Sequence, residues 1–158
     1  MRYLRSAATA ISAAVAVGSL AACGDRTTTL AVPTLVARAN ATCAAYATRV
    51  EALTAPAFDP GSATAAQLGA AGRYLDRAVP LVQSEQASIE AIGTPRTDRS
   101  LYASVLTALA AHVRDEAAAR DAAHARNLHA FRAAVAADKQ DSTRLAGVAQ
   151  EFGLNRCV

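Results

Sequence analysis

Residues that break helices fall at few positions in this chain, and the stretches between them repeat apolar residues at helical spacing. Breakers occur at Pro33, at 56–61, at 93–95 and at Gly153. Between them apolar side chains recur at steps of three, four or seven residues, which places them on one face of a helix. Alanine is abundant in every stretch and is the best helix former. The sequence therefore predicts an all-α domain.

The first two stretches each carry one apolar face. The first begins near Pro33 and ends before Pro56, and its face is made by Leu35, Ala39, Cys43, Tyr46, Val50 and Leu53. The second begins at a cap, Ser62 or Thr64, and its face is made by Leu68, Leu75, Val79, Val82 and Ile89. Pro80 lies inside the second stretch. Because proline lacks a backbone donor, we expect it to kink or split that helix.

Two further apolar patterns follow with no breaker between them. The first starts near Thr97 or Asp98 and includes Leu101, Tyr102, Val105, Leu106, Ala108, Leu109, His112 and Val113. The second includes Leu128, Phe131, Val135, Leu145, Val148 and Phe152. Local signals alone also allow one helix from Asp98 to Phe152, about 80 Å long. The number of helices therefore has to come from another constraint.

The first 22 residues have the pattern of an export signal. Arg2 and Arg5 precede an apolar stretch from Ala7 to Leu20, which is shorter than the roughly 20 residues that a membrane-spanning helix needs. The stretch runs into Leu20-Ala21-Ala22-Cys23, which resembles the lipobox of bacterial lipoproteins. The alternatives are an uncleaved anchor helix and a secretory signal that is cut elsewhere.

The lipobox resemblance implies a specific fate for Cys23. In bacterial lipoproteins the thiol receives diacylglycerol and a peptidase cuts just before it, so residues 1–22 are expected to be a removed signal peptide. Residues 23–33 are then the lipidated cysteine and a tether, and residues 34–158 are the domain. We expect a protein anchored to the cell membrane through diacylglycerol on Cys23, on the extracytoplasmic side.

The two remaining cysteines bear on the number of helices. Exported thiols most often pair, so with Cys23 acylated we expect a Cys43–Cys157 disulfide, with a redox pair as the alternative. In an up-down-up-down four-helix bundle the two cysteines lie at the same end. In a three-helix arrangement they lie at opposite ends, beyond the roughly 6 Å Cα separation that a disulfide needs. We therefore predict four helices, with the last turn between 120 and 127 and Asp121 as its cap.

A second resemblance covers essentially the whole mature chain. The pattern Asn40-x-x-Cys43 with Tyr46, a proline-containing helix and a closing Gly153-Leu154-x-x-Cys157 resembles small Ala-rich helical lipoproteins of actinobacteria. That resemblance supports the bundle and the disulfide. It transfers no functional residue, because the group has no established activity.

The charge of the mature chain argues against a nucleic-acid partner. The full chain has 16 basic and 13 acidic residues, a net charge of +3. Removal of Arg2 and Arg5 with the signal peptide lowers this to about +1. Charges of both signs are scattered along the chain, whereas nucleic-acid binding needs a concentrated basic face.

No motif predicts catalysis, a cofactor or a metal. His124 and His129 are five residues apart, a poor spacing for one helix face, and His112 lies on a mixed apolar stripe. The pairs Asp115-Glu116 and Asp138/Asp141 stand beside basic residues and are interpreted as solvated ion pairs. Tyrosines at 46, 74 and 102 are interpreted as packing residues, with the lining of a ligand groove as the alternative.

We therefore expect a non-catalytic envelope lipoprotein. Its domain is expected to bind another envelope component or to act in assembly or regulation. The alternative is a carrier that holds a small apolar or amphipathic ligand between its helices. The two differ in structure: a carrier needs an apolar internal cavity of a few hundred Å³, whereas a partner-binding bundle is solid and exposes an apolar patch.

Overall fold

The computed structural model describes residues 28–157. Its four helices are α1 (Val32–Glu51), α2 (Leu68–Ile92), α3 (Arg99–His124) and α4 (Leu128–Phe152). Two short 3₁₀ turns, Pro60–Ser62 and Ala65–Gln67, lie between α1 and α2, and strands β1 (Thr29–Leu30) and β2 (Thr94–Pro95) form a small parallel pair. The predictions of a mostly helical chain with four helices and one Cys43–Cys157 disulfide are confirmed.

Several expectations concern residues beyond this range. The signal peptide 1–22, the lipidated Cys23 and the first residues of the tether lie outside the described residues. Among the helices of residues 28–157, none has both the length and the hydropathy to cross a membrane.

The helix ends follow the chemistry of individual residues. Gly93 ends α2, and Gly153, with φ of 93°, ends α4. At Gly153 the amide of Leu154 donates to the carbonyl of Ala149, 2.7 Å away, which satisfies a carbonyl of the last turn. Pro80 lies on the exposed side of α2, and the helix continues through it, so Pro80 does not split α2.

The turn between α3 and α4 falls inside the predicted interval, but the predicted cap was wrong. Arg126, with φ of 53°, takes the left-handed conformation that usually calls for glycine. The side chain of Asn127 then caps α4 by accepting a hydrogen bond from the amide of Ala130 at 3.0 Å. Asp121 lies within α3, where it pairs with Arg120 at 2.7 Å. Because an arginine takes the left-handed conformation here, no glycine or proline marks this turn in the sequence.

Side-chain contacts show that consecutive helices run antiparallel. Tyr102, near the start of α3, donates to the carbonyl of Ile89 near the end of α2 at 3.3 Å, while His124 at the end of α3 lies 2.8 Å from Asp76. Phe152, at the end of α4, packs on Tyr102 with ring centroids 5.2 Å apart. The Tyr46 hydroxyl of α1 lies 2.7 Å from Ser84 of α2, and Leu30, just before α1, pairs with Pro95, just after α2, so α1 and α2 are antiparallel too.

Residues 28–31, which fall within the predicted tether 23–33, form contacts with the rest of this fold. The carbonyl of Thr28 accepts from the amide of Thr94, and the carbonyl of Leu30 accepts from Arg96, both at 2.9 Å. Gly93 permits this approach, since its φ is 116° and a Cβ there would lie 2.1 Å from the Thr28 oxygen. Leu30 and Val32 pack against the core, which accounts for the docking of the segment.

The apolar interior has two parts. The larger core includes Leu35 of α1, Ile89 of α2, Val105 of α3 and Phe152 of α4. The smaller core contains Leu68, Ala71, Ala119, Ala122, Ala123 and Phe131 together with Ala63 from the connector between α1 and α2. Helix α1 ends at Glu51 and contributes no residue to the smaller core, so that half of the domain is covered by the connector, residues 52–67.

Candidate functional site

A polar cluster lies where α3 packs on α4, and His112 is at its centre. The Nδ1 atom of His112 lies 2.7 Å from Oδ1 of Asp138 and 3.1 Å from the hydroxyl of Ser142 on α4. Its Nε2 atom lies 3.7 Å from Oε1 of Glu116, one helical turn further along α3. Residues four apart project from the same face of a helix. The fold thus brings an imidazole and two carboxylates together.

A third helix contributes Glu85 to this region. Glu85 and His112 together line a cavity of about 370 Å³ beside the disulfide and a smaller one of about 70 Å³. Burial raises the pKa of Glu85 to about 7; the charge of His112 opposes this shift and that of Glu116 adds to it. Glu85 therefore changes its protonation state near neutral pH.

The pKa values of Glu116 and His112 are also raised. For Glu116 burial is the main cause, His112 opposes it and Asp138 adds to it. For His112 burial acts in the opposite direction, but the hydrogen bond to Asp138 and the charges of Glu116, Asp138 and Glu85 outweigh it. A half-buried site that holds three carboxylates around one imidazole therefore favours the uptake of positive charge.

Two carboxylate oxygens of α3 in this region are buried and have no hydrogen-bond partner among residues 28–157: Oδ2 of Asp115 and Oε2 of Glu116. Asp115 is only 6% exposed, and its other oxygen accepts from Nε of Arg114 at 2.9 Å. A buried polar atom without a partner costs about 1–3 kcal/mol, and more for a charged group. The environment of Glu116 therefore lacks a donor or a cation.

An apolar cavity of about 320 Å³ adjoins the cluster. Its polar lining residues are Tyr74, Glu116 and Asp138, and the rest of its wall is apolar: Ala55, Pro56, Phe58, Pro60, Ala71, Leu75, Ala119, Phe131 and Val135. Four of these residues belong to the connector, which replaces a helix on this side of the domain. The cavity therefore has apolar walls and two carboxylates on one side.

The connector is held in place from α4. Nε and Nη2 of Arg132 both donate to the backbone carbonyl of Ala63, at 3.1 and 2.6 Å. Ala63 is fully buried, so its carbonyl depends on these two bonds for its partners. Arg132 thereby fixes the segment that closes one side of the cavity.

The three histidines lie in different surroundings. His112 is in the cluster, whereas His124 pairs with Asp76 at the surface and His129 is exposed. The tyrosines also differ. Tyr74 lines the cavity, whereas Tyr102 packs in the larger core and Tyr46 bonds to Ser84 and Ser88.

The interpretation of Asp115 and Glu116 as solvated ion pairs was wrong. Asp115 is buried, and the Glu116 side chain is 20% exposed and turned toward His112. Asp138 pairs with His112, and Asp141 pairs with Arg114 at 3.3 Å. Glu85 was not singled out from the sequence at all, because its role depends on which face of α2 meets α3. The four-residue spacing of His112 and Glu116 was the one available signal.

Comparison with known proteins adds no assignment. No family model matches the chain, and neither a curated protein nor a solved structure is significantly similar to it.

Proposed function

We propose that this protein is a non-catalytic, lipid-anchored binding protein of the cell envelope that carries a small ligand with an apolar body. The observation that carries this proposal is the cavity of about 320 Å³ between the connector, α2, α3 and α4. Ligand sites are typically concave, about 300–1,000 Å³ in volume, apolar and supplied with a few polar groups. The volume and the apolar lining of this cavity support a carrier over a solid, partner-binding bundle.

The lining residues indicate the ligand chemistry. Phe58, Leu75 and Phe131 offer apolar and aromatic surface for the body of a ligand. Tyr74 offers a hydroxyl, and burial, followed by the charge of Glu116, raises its pKa, so the group stays neutral and able to donate. An amphipathic molecule with an apolar ring or short chain and one polar group fits this lining.

The anchor belongs to the same proposal. The lipobox-like Leu20-Ala21-Ala22-Cys23 supports cleavage before Cys23 and its acylation. Because Thr28 is bound beside Thr94, only four residues lie between Cys23 and the domain, and the five Cα–Cα steps reach at most about 18 Å. Thr28 and Thr94 lie at the end of the domain that contains the larger core. The cavity, which lies beside the smaller core, would then face away from the membrane.

Binding of a fluorescent apolar probe, N-phenyl-1-naphthylamine, tests the proposal. Ala119 is buried and lines the cavity, whereas its neighbour Ala118 is exposed on the same helix. In Ala119→Leu the added side chain occupies cavity volume, so we expect probe affinity to fall by about tenfold or more, which corresponds to about 1.4 kcal/mol. Ala118→Leu is the matched control and should bind like the parent.

Two results would contradict a carrier. One is the absence of saturable probe binding to the parent protein. The other is equal affinity in Ala119→Leu and Ala118→Leu, with thermal unfolding showing that both variants are folded. Either result would favour the other expectation, a solid bundle that binds another envelope component.

A further inference from the structure

We propose that His112 and Glu116 are direct ligands of a divalent transition-metal ion of the Zn²⁺ class, and that Asp138 orients the imidazole. One potential ligand atom from each of these residues lies within 4.8 Å of the other two. Imidazole nitrogen and carboxylate oxygen are ordinary zinc donors. The proposed site is distinct from apolar ligand binding, although Glu116 and Asp138 also border the cavity.

The space between His112 and Glu116 has the dimensions that an ion requires. Nε2 and Oε1 are 3.7 Å apart, too far for a hydrogen bond. Two zinc ligands, each about 2.0–2.2 Å from the metal, are separated by a distance of this size. Oε2 of Glu116 is also buried and has no hydrogen-bond partner among residues 28–157. An ion between Nε2 and Oε1 would neutralise the charge of the Glu116 carboxylate and so lower the cost of burying its Oε2.

The opposite side of the imidazole supports the same assignment. Nδ1 donates to Asp138 at 2.7 Å, which leaves the lone pair of the neutral ring on Nε2, facing Glu116. Histidine ligands of metals usually donate their other N–H group to a carboxylate or carbonyl, and loss of that partner weakens metal binding about 10- to 100-fold. Asp138 therefore acts here as a positioning residue.

Glu85 lies outside the cluster of three potential ligands, but it adds a carboxylate to the surroundings of the site. It lines two cavities together with His112, and its charge interacts with both His112 and Glu116. Water fills the remaining positions of the ion.

The surface pair His124–Asp76 provides a matched control. Like the cluster, it places a carboxylate beside an imidazole, with an Nε2–Oδ1 distance of 2.8 Å. Both side chains are about half exposed, however, and neither residue belongs to the three-residue cluster. If any histidine beside an acid bound Zn²⁺, this pair would bind as well as the cluster does.

The test is calorimetric titration of the full chain in detergent with ZnCl₂, with Co²⁺ absorption as the second readout. Every sample carries Cys23→Ser, because a free thiol there would itself bind Zn²⁺. We expect one saturable site, lost in His112→Ala and in the nearly isosteric Glu116→Gln. Binding should weaken about 10- to 100-fold in Asp138→Asn and should be unchanged in His124→Ala. Co²⁺ should give a d–d spectrum that disappears in Glu116→Gln.

Absence of stoichiometric binding, or binding that survives in both His112→Ala and Glu116→Gln, overturns the metal site. So does an equal loss of binding in His124→Ala. Probe binding is measured separately with metal-free protein, so failure of the metal site leaves the carrier proposal standing, and the reverse also holds.

Discussion

The side-chain amide of Asn40 donates to the backbone carbonyl of Gly153 at 3.1 Å, across 113 residues of sequence. The carbonyl oxygen of the same side chain accepts from the backbone amide of Arg156 at 3.0 Å. One asparagine in the middle of α1 therefore binds both sides of the segment that leads to Cys157. The Cys43–Cys157 disulfide, with Cα atoms 4.9 Å apart, lies three residues further along α1. Together they fix the end of the chain against the first helix.

Removing the Asn40 side chain should destabilise the domain. Asn40→Ala leaves the Gly153 carbonyl and the Arg156 amide without their partner, and we expect a loss of about 1–3 kcal/mol in the free energy of unfolding. Urea denaturation measures this. Asn155→Ala, at an exposed position in the same segment, should change the free energy little. Equal stabilities of the two variants would show that the Asn40 contacts are unimportant.

Reduction of the Cys43–Cys157 disulfide should lower the free energy of unfolding more than Asn40→Ala does. The bond joins residues 114 apart, and the chain-entropy relation gives about 4–5 kcal/mol for a loop of this length. Comparing oxidised and reduced forms of the same protein in urea avoids any change of sequence. The reduced form should unfold at a clearly lower urea concentration and recover on reoxidation. Coincident unfolding curves would contradict a stabilising role.

The polar cluster should make the metal-free protein less stable as pH rises. The pKa of Glu85 goes from 4.5 in the unfolded chain to about 7 in the folded one, so the folded state binds more protons in this window. The contribution is fully present below pH 4.5 and is lost as pH rises through about 7. The raised pKa values of Glu116 and His112 act in the same direction.

Thermal unfolding in the presence of a chelator measures this dependence. Glu85→Gln should flatten the fall in Tm between pH 4.5 and about 7, because glutamine does not titrate. Glu90→Gln, at an exposed position of the same helix, should leave the profile of the parent. A Tm that rises with pH through this window would contradict the account.

Arg132 should hold the connector, residues 52–67, in place over the cavity. Arg132→Ala removes both donors to the buried Ala63 carbonyl, and we expect a loss of about 1–3 kcal/mol together with faster release of an apolar probe from the cavity. Unfolding and stopped-flow dissociation measure the two effects. Arg144→Ala, at an exposed position of α4, is the control. Unchanged release from Arg132→Ala would mean that the connector does not close the cavity.

Local sequence signals located most helix ends but not the last turn. Gly93 and Gly153 take positive φ values that glycine accommodates, so the ends of α2 and α4 could be predicted. Arg126 takes a left-handed conformation without glycine, and only the disulfide argument indicated a turn in that interval. Asn127, rather than Asp121, is the cap because it directly precedes α4.

The site was less predictable than the helices. His112 and Glu116 share a helix face, and that spacing is visible in the sequence. Asp138 and Glu85 come from other helices, and their approach depends on how α4 and α2 are rotated about their axes against α3. The cavity depends on α1 ending at Glu51, so that an irregular connector lies over the smaller core. The spacing of apolar residues in the sequence does not indicate how the helices are rotated against each other or where the connector lies.

The most direct test of the account is the mass of the protein extracted from its own membranes, recorded under native and then under denaturing conditions. We expect a denatured mass that lacks residues 1–22 and carries diacylglycerol on Cys23. We also expect a native mass larger by one small molecule, which is released on denaturation. A full-length, unlipidated chain would contradict the anchor. A native mass equal to the denatured mass would contradict a carrier that holds its ligand in the cavity beside Glu116.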